Sequence, residues 1–300
     1  MLYLVYGGLS LINLIVLLAG KMPLFDALCT MFGTAGTGGF AIRNDGLLSY
    51  TPFAQTATGI FMVVFGVNFA LYYAIATRRW KTVLKDEELR LYFGILIVSS
   101  LLIAINIVPI FKTFGTSLYH AGFTVASIMS STGFTIENFG LWPQFSQVVL
   151  LLLMLFGAMA GSTGGGLKIS RLLILLKSFR VEFGRLLHPR SVKVVRVNGK
   201  AIDDSVVRGV YFFLCFYAFI ALLIFLIISM DNLPMETNIS ATLACFNNIG
   251  PGLGMVGPVD NFSAYSSLSK MVLSASMLLG RLEIFPIFLL FHPDTWRKKS

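Results

Sequence analysis

The chain has 300 residues, 56% of them hydrophobic and only 12% charged, with a net charge of +9. An ordinary soluble domain carries about 25% charged residues, so this composition excludes a soluble globular protein. The apolar runs are long and continuous, which excludes a barrel, whose strands alternate over about ten residues.

An integral all-α membrane protein is therefore expected. Cys29, Cys215 and Cys245 stand alone, no C-x-x-C occurs and the three histidines are scattered. This gives no metal cage or disulfide framework, and each Cys reads as a small apolar side chain. No nucleophile–base pair stands out, so an enzyme is not expected.

In chain order, apolar segments run at about 2–20, 54–77, 91–111, 144–179, 207–230 and 264–291. The first has no basic region before it and reads as a spanning helix rather than a signal peptide. The bases fall in three places. Arg78, Arg79, Lys81, Lys85 and Arg90 lie between the second and third segments. Lys177, Arg180, Arg185, Arg190, Lys193, Arg196, Lys200 and Arg208 lie in and beside the connection between the fourth and fifth segments, and Arg297, Lys298 and Lys299 lie in the tail. The other connections hold Asp26, Asp45, Glu137, Asp231, Glu236 and Asp260 with few bases. That is the positive-inside pattern. It puts the basic loops and the C-terminus in the cytoplasm of a multi-pass plasma-membrane protein, and the charge reads as topology rather than nucleic-acid binding.

Each segment running outward is followed by a short apolar piece and a Gly-rich motif. The pieces are about 24–34, 117–129 and 237–247; the motifs begin at Gly36, Ser130 and Asn248. A bilayer-spanning helix needs roughly 20 residues, so these pieces are too short and read as re-entrant helices. The result is an internal repeat of three helix–pore loop–helix units. They occupy 1–79, 91–179 and 206–300, joined by basic loops at 80–90 and 180–205. The polar second loop reads equally as a docking surface or a solvated connector.

Non-helical backbone at membrane depth is tolerated where it lines a water-filled path. Carbonyls replace the hydration shell of a cation there, and Gly supplies the φ > 0 that such loops need. Aligning Thr37-Gly38, Thr132-Gly133 and Ile249-Gly250 places one Gly per unit in a shared ring. Thr37, Ser131 and Thr132 are expected to add hydroxyl oxygens or brace the loops. The negative ends of the short helices favour a cation by roughly 0.3–1 kcal/mol each. No ring of acidic side chains occurs at the motifs, which favours a dehydrated monovalent cation over a divalent one.

The fourth apolar segment is interrupted by Gly157-Ala158-Met159-Ala160-Gly161-Ser162-Thr163-Gly164-Gly165-Gly166, with Lys168 and Arg171 just beyond. It reads as a broken helix beneath the second motif, a mobile loop across the exit. Arg281 is expensive in lipid and is expected to face inward, meeting carbonyls of that loop or Glu283. Asn13, Asn68 and Asn106 read as hydrogen-bonding glue between helices.

Thr-Gly-Gly-Phe at 37–40, Ser-Thr-Gly-Phe-Thr at 131–135 and Asn-Asn-Ile-Gly-Pro-Gly-Leu-Gly at 247–254 resemble motifs of the Trk/Ktr/HKT superfamily of potassium transporters. So do Gly-Ser-Thr-Gly-Gly-Gly-Leu-Lys at 161–168 and Gly-Arg-Leu-Glu-Ile-Phe-Pro at 280–286. The likeness is strongest to the bacterial Trk-type membrane subunit. It implies four units around one pore, with K+ as the transported ion and no covalently bound cofactor. It implies K+ at the backbone carbonyls of Gly38, Gly133 and Gly250, in filters that also contain Thr37, Gly39, Ser131, Thr132, Phe134, Asn248 and Ile249. The gating loop would use Gly157, Gly161, Gly164, Gly165, Gly166 and Lys168, with Arg281 as its basic contact.

The resemblance further implies a homodimer in the lipid bilayer and a cytosolic nucleotide-binding regulatory subunit at the basic loops. The three units match the family's second, third and fourth, so the first is missing. The expected function is gated potassium uptake. Sodium permeation, ion-coupled transport and a truncated, non-conducting fragment remain open.

Overall fold

The structure is a computed structural model that describes residues 2–43, 45–188 and 193–282, with Pro286 and Leu289. Pro189, Arg190, Glu283, Arg297, Lys298 and Lys299 lie outside the described residues.

The chain opens with α1 (Leu2–Ala19), α2 (Leu24–Ala35), α3 (Pro52–Phe65), α4 (Phe69–Ala76) and α5 (Trp80–Leu84). It continues with α6 (Glu87–Phe111), α7 (Phe114–Met129), α8 (Gln144–Leu155) and α9 (Ile169–Leu187). A two-stranded antiparallel hairpin, β1 (Arg196–Val197) and β2 (Lys200–Ala201), precedes α10 (Asp204–Ile228), α11 (Met235–Phe246) and α12 (Ser267–Arg281). Among the described residues three helices are long and apolar enough to cross a membrane: α1, α6, and α10 with the turn after it. The α3–α4 pair passes the same test as one span but is bent by 93°.

Helix starts follow local chemistry. Thr51, Asn68, Asp86, Thr113 and Ser266 each accept a backbone N–H as N-caps, which satisfies one of the orphan donors of a first turn. Pro23, Pro143 and Pro234 stand just before α2, α8 and α11, where a missing N–H costs nothing.

The short helices α2, α7 and α11 are each wedged between the helix before and the helix after. Ala27 and Met31 of α2 pack on Leu17 of α1 and Ala54 and Ala57 of α3. Val125, Ile128 and Met129 of α7 sit among Tyr92, Ile103 and Ile107 of α6 and Leu150, Leu153 and Met154 of α8. Ala241, Cys245 and Phe246 of α11 meet Tyr217, Ile220 and Ile224 of α10 and Leu273 of α12. The outer faces stay apolar: Leu11, Ile12 and Ile15 of α1, Ile97 and Ile105 of α6, and Phe219 and Leu226 of α10 are all exposed. That is the surface a helix presents to lipid.

One element departs from the sequence reading. The segment 54–77 is not one helix; it breaks at Gly66-Val67-Asn68 and turns through 93°. The break is covered rather than frayed. Tyr72 Oη donates to Val64 O at 2.7 Å, and Asn68 Oδ1 starts α4 by accepting from Ala70 N at 2.8 Å. Asn68 is therefore a cap, not glue between helices. Asn106 does join helices, accepting from Ser146 Oγ at 2.7 Å. Asn13 is fully buried with no partner for either side-chain atom among the described residues; nothing in the structure explains it.

Candidate functional site: three helix ends and a loop beneath them

The three short helices end in the same way. The C-caps Gly36, Ser130 and Asn247 are followed by Thr37, Ser131 and Asn248, all left-handed at φ 50°, 58° and 56°. The amides of Thr37, Ser131 and Asn248 donate to Thr34 O, Ile128 O and Cys245 O, and those of Gly38, Thr132 and Ile249 to Gly33 O, Ser127 O and Ala244 O. This is the Schellman pairing, which satisfies the last carbonyls of a helix. Non-glycine residues with positive φ are uncommon; here three occur at matched positions.

Two residues further on, Gly39, Gly133 and Gly250 are again left-handed, at φ 56°, 84° and 106°. The hydrogen bonds therefore match Gly39, not Gly38, with Gly133 and Gly250. Gly38 corresponds to Thr132 and Ile249. The expected register was one residue short in the first unit, because Thr37-Gly38-Gly39 offers two glycines and the sequence does not say which one turns.

The loops interlock. A Cβ on Gly39 would sit on the carbonyl oxygen of Thr132, and a Cβ on Gly133 on that of Ile249. The glycines of the first two units thus each take the next unit's carbonyl edge-on. At Gly250 the Cβ position is open, as it is at Gly38. The three loops form an arc whose ends, Gly38 and Gly250, face each other across a cavity of about 230 Å³. A second cavity of about 450 Å³ opens on the other side of the same glycines, with Asp260 and Lys270 in its wall.

Side chains mostly brace this arc. Ser130 Oγ and Thr132 Oγ1 are 2.8 Å apart. Ser127 Oγ donates to Phe134 O at 2.6 Å, and the buried Phe134 ring closes on Gly33 of α2. Asn248 Nδ2 donates to Met277 O of α12 at 2.9 Å. Ser131 Oγ is buried and has no hydrogen-bond partner among the described residues. Near the rim of the larger cavity Tyr50 Oη donates to Asp26 Oδ2 at 2.7 Å, with Arg43 over the ring at 5.1 Å. Burial and the Asp26 carboxylate push the Tyr50 phenol up to about 12, so it remains a donor.

The fourth apolar segment breaks as its glycines suggest. Residues 156–168 leave the helix between α8 and α9. Gly157 N–H donates to Leu167 O at 2.6 Å and Ile169 N–H to Ala158 O at 3.2 Å, which zips the loop's base. Its tip lies under the arc. Thr163 O is 3.1 Å from Thr37 Oγ1; a side chain at Gly164 would press on Ser130 O, and one at Gly165 on Asn247 O. Three consecutive loop residues thus meet the C-terminal ends of α2, α7 and α11 in turn. Lys168 Nζ donates to Gly164 O within the loop. Gly161 packs against the Asn68 side chain and Gly166 against that of Asn247.

Arg281 is placed differently from the expectation. Its guanidinium donates to Thr37 Oγ1 at 2.9 Å and to Gly36 O at 2.8 Å. It thus caps the negative end of α2, the favourable place for a cation, and its hydrogen bonds among the described residues connect it to the loop through Thr37. The other expected partner, Glu283, lies outside the described residues. Arg281, Lys168 and Gly161–Gly166 enclose a cavity of about 290 Å³ beneath the arc.

Two features were invisible in the sequence. The α3–α4 break is a cradle for the loop: Met159 N–H donates to Gly66 O at 3.0 Å and Phe69 N–H to Gly161 O at 3.2 Å. Glu88, buried at the start of α6, accepts from Ala160 N–H at 2.7 Å. One carboxylate thus holds the loop from the side of α6. A buried carboxylate costs free energy unless it is hydrogen-bonded, which is a signal only burial reveals.

Long apolar helices with short helices wedged between them define an integral all-α membrane protein. The cation transport protein family TrkH matches residues 10–298, and the chain belongs to that family. It is 34% identical over 304 residues to the Trk system potassium uptake protein TrkH of Salmonella typhimurium, covering 99% of this chain and 62% of the relative. It is 35% identical over 289 residues to the TrkH of Vibrio parahaemolyticus, covering 93% and 58%. The crystal structure of the potassium transporter TrkH from Vibrio parahaemolyticus superposes with a TM-score of 0.88 at 31% identity, covering 99% of this chain and 64% of that one. The chain spans about three-fifths of the length of these relatives.

The register has a direct test. Gly38→Ala puts a methyl into open space, whereas Gly39→Ala and Gly133→Ala force a left-handed residue onto a carbonyl oxygen. Thermal unfolding in detergent is expected to leave the Gly38 variant within a degree or two of the unsubstituted protein and to lower both others by about 2 kcal/mol or more. Equal losses at Gly38 and Gly39 would contradict the pairing.

Glu88→Ala is expected to free the Ala160 amide. Hydrogen exchange over 156–168 should then speed up at least about tenfold, equivalent to ~1.4 kcal/mol. Unchanged exchange there would show that Glu88 does not hold the loop.

Proposed function

We propose that the chain forms three quarters of a potassium pathway across the plasma membrane. Gly38, Thr132 and Ile249, with the left-handed residues on either side of each, supply the carbonyl ligands. The observation that carries this reading is the triple left-handed helix end. Three loops with the same hydrogen bonds present one backbone edge after another, and backbone carbonyls are what replaces water around a dehydrated cation. No acidic side chain lies within the three motifs, which suits a monovalent ion.

The three units then comprise residues 1–79, 91–179 and 206–300. A fourth segment of the same kind, seated between Gly250 and Gly38, closes the ring. The basic connections at 80–90 and 180–205 and the tail face the cytoplasm, and passage of K+ is passive and driven by the membrane potential. The loop at 157–168 is the gate. It lies under all three helix ends, and Arg281 occupies the negative end of α2 that a cation leaving the filter would meet. A homodimer and a cytosolic nucleotide-binding subunit on the basic loops belong to this proposal; the names of the relatives as parts of a Trk potassium uptake system support it.

The open edge at Gly250 favours a second reading, in which this stretch conducts only when the fourth segment is supplied. Both readings are tested by radioactive rubidium uptake into vesicles under an inside-negative potential, with and without a co-expressed helix–pore loop–helix segment from a relative. Uptake is expected with the added segment, competed by K+ and much less by Na+. Deleting Gly161–Gly166 should raise the rate. Equal competition by Na+ would contradict the potassium assignment, no uptake in either preparation would contradict the pathway, and an unchanged rate in the deletion would contradict the gate.

A further inference from the structure

We infer that α4, α5 and the turn between them form an interfacial arm that binds the headgroups of anionic phospholipids. The inference rests on the proposed placement of the basic loops at the cytoplasmic face.

The 93° bend at Gly66-Val67-Asn68 sends α4 off at a right angle to α3. A spanning helix that turns this way continues along the membrane plane rather than across it. Tyr6 of α1 meets Phe65 and Phe69 edge-on at 5.9 Å, which packs the bend against α1. Arg78, left-handed at φ 58°, then turns the chain into α5.

The arm's surface has the two components that hold a segment at a lipid interface. Tyr73, Trp80 and Leu84 are exposed at 40%, 56% and 70%, and exposed aromatic side chains belong at headgroup level. Val83 is buried and ties α5 to the protein. Interleaved with these are Arg78, Arg79, Lys81 and Lys85, all exposed. Their side chains make no hydrogen bond or ion pair with any described residue. Clusters of four or more such bases just cytoplasmic of a spanning helix attract anionic lipid.

Among the described residues no ion pair joins them to the nearby acids Asp86 and Glu87, which line the same cavity as Lys81 and Lys85. Asp86 accepts from Leu89 N–H and from Asn198 Nδ2, both at 2.8 Å. Glu87 accepts from Asn198 N–H at 2.8 Å and pairs with Lys177. The hairpin turn thus engages the carboxylates, while Lys81 and Lys85 line an open cavity of about 660 Å³ with room for headgroups. The anionic leaflet is the occupant favoured by this combination, because a soluble anion would need the bases but not the exposed Trp80 and Leu84 beside them.

The test uses the whole chain with Trp142→Phe and Trp296→Phe, leaving Trp80 as the sole reporter. It is reconstituted into vesicles containing equal fractions of brominated phosphatidylglycerol or brominated phosphatidylcholine. Brominated phosphatidylglycerol is expected to quench Trp80 several-fold more than brominated phosphatidylcholine. The preference should disappear in the Arg78→Gln, Arg79→Gln, Lys81→Gln, Lys85→Gln variant and weaken in high salt. Strong but equal quenching by both lipids would overturn the headgroup preference while leaving the arm at the interface. Absence of quenching by either would place Trp80 away from lipid and overturn the arm, and with it the membrane level assigned to α4.

Discussion

A helix that stops inside a membrane leaves its last four carbonyls without intrahelical partners, and in lipid no water is present to take them. The three short helices meet this constraint identically. One residue past each cap turns left-handed, two backbone amides fold back on the last turn, and the chain leaves at a fixed angle. Much of the centre depends on that geometry. It sets the glycine two residues later in a second left-handed conformation, and it brings Thr132 O against Gly39 and Ile249 O against Gly133. Substituting Gly39 or Gly133 would disturb a neighbouring unit as well as its own, since each of these two glycines receives another unit's carbonyl.

The loop at 156–168 is held by groups drawn from across the chain. Its tip answers to the three helix ends above it, its flank to the α3–α4 break, and its outer edge to Glu88. These tethers are mostly single backbone hydrogen bonds, worth about 1 kcal/mol each, with few large side chains to add packing. A segment held this way is stable in place yet inexpensive to release, which suits the gating role proposed for it. Arg281 couples the two layers, because the Thr37 hydroxyl that it contacts also faces Thr163 O.

Much of this was legible in the sequence, for identifiable reasons. Long apolar runs located α1, α6 and α10, and the short pieces 24–34, 117–129 and 237–247 fall within α2, α7 and α11, the last to within one residue. The glycine run at 157–166 marked the broken helix, since no other reading fits so many glycines. What stayed hidden depended on three-dimensional partners. The break at Gly66-Val67-Asn68 carries a single glycine and is stabilised by Tyr72 and by the distant loop, so nothing local announces it. Glu88 looks like an ordinary first-turn acid of α6. Gly38 and Gly39 are indistinguishable until hydrogen bonds say which one turns. Arg281 was recognisable as a buried-charge problem, but its solution lay 245 residues away at Gly36.

The central claim is that the carbonyls beside the interlocked glycines hold a dehydrated monovalent cation. Anomalous diffraction from crystals soaked in thallium, a potassium stand-in, tests it most directly. The account expects thallium within direct ligand distance of the Thr132 and Ile249 carbonyls and of Gly38. Thallium bound elsewhere in the protein with those carbonyls vacant would contradict it.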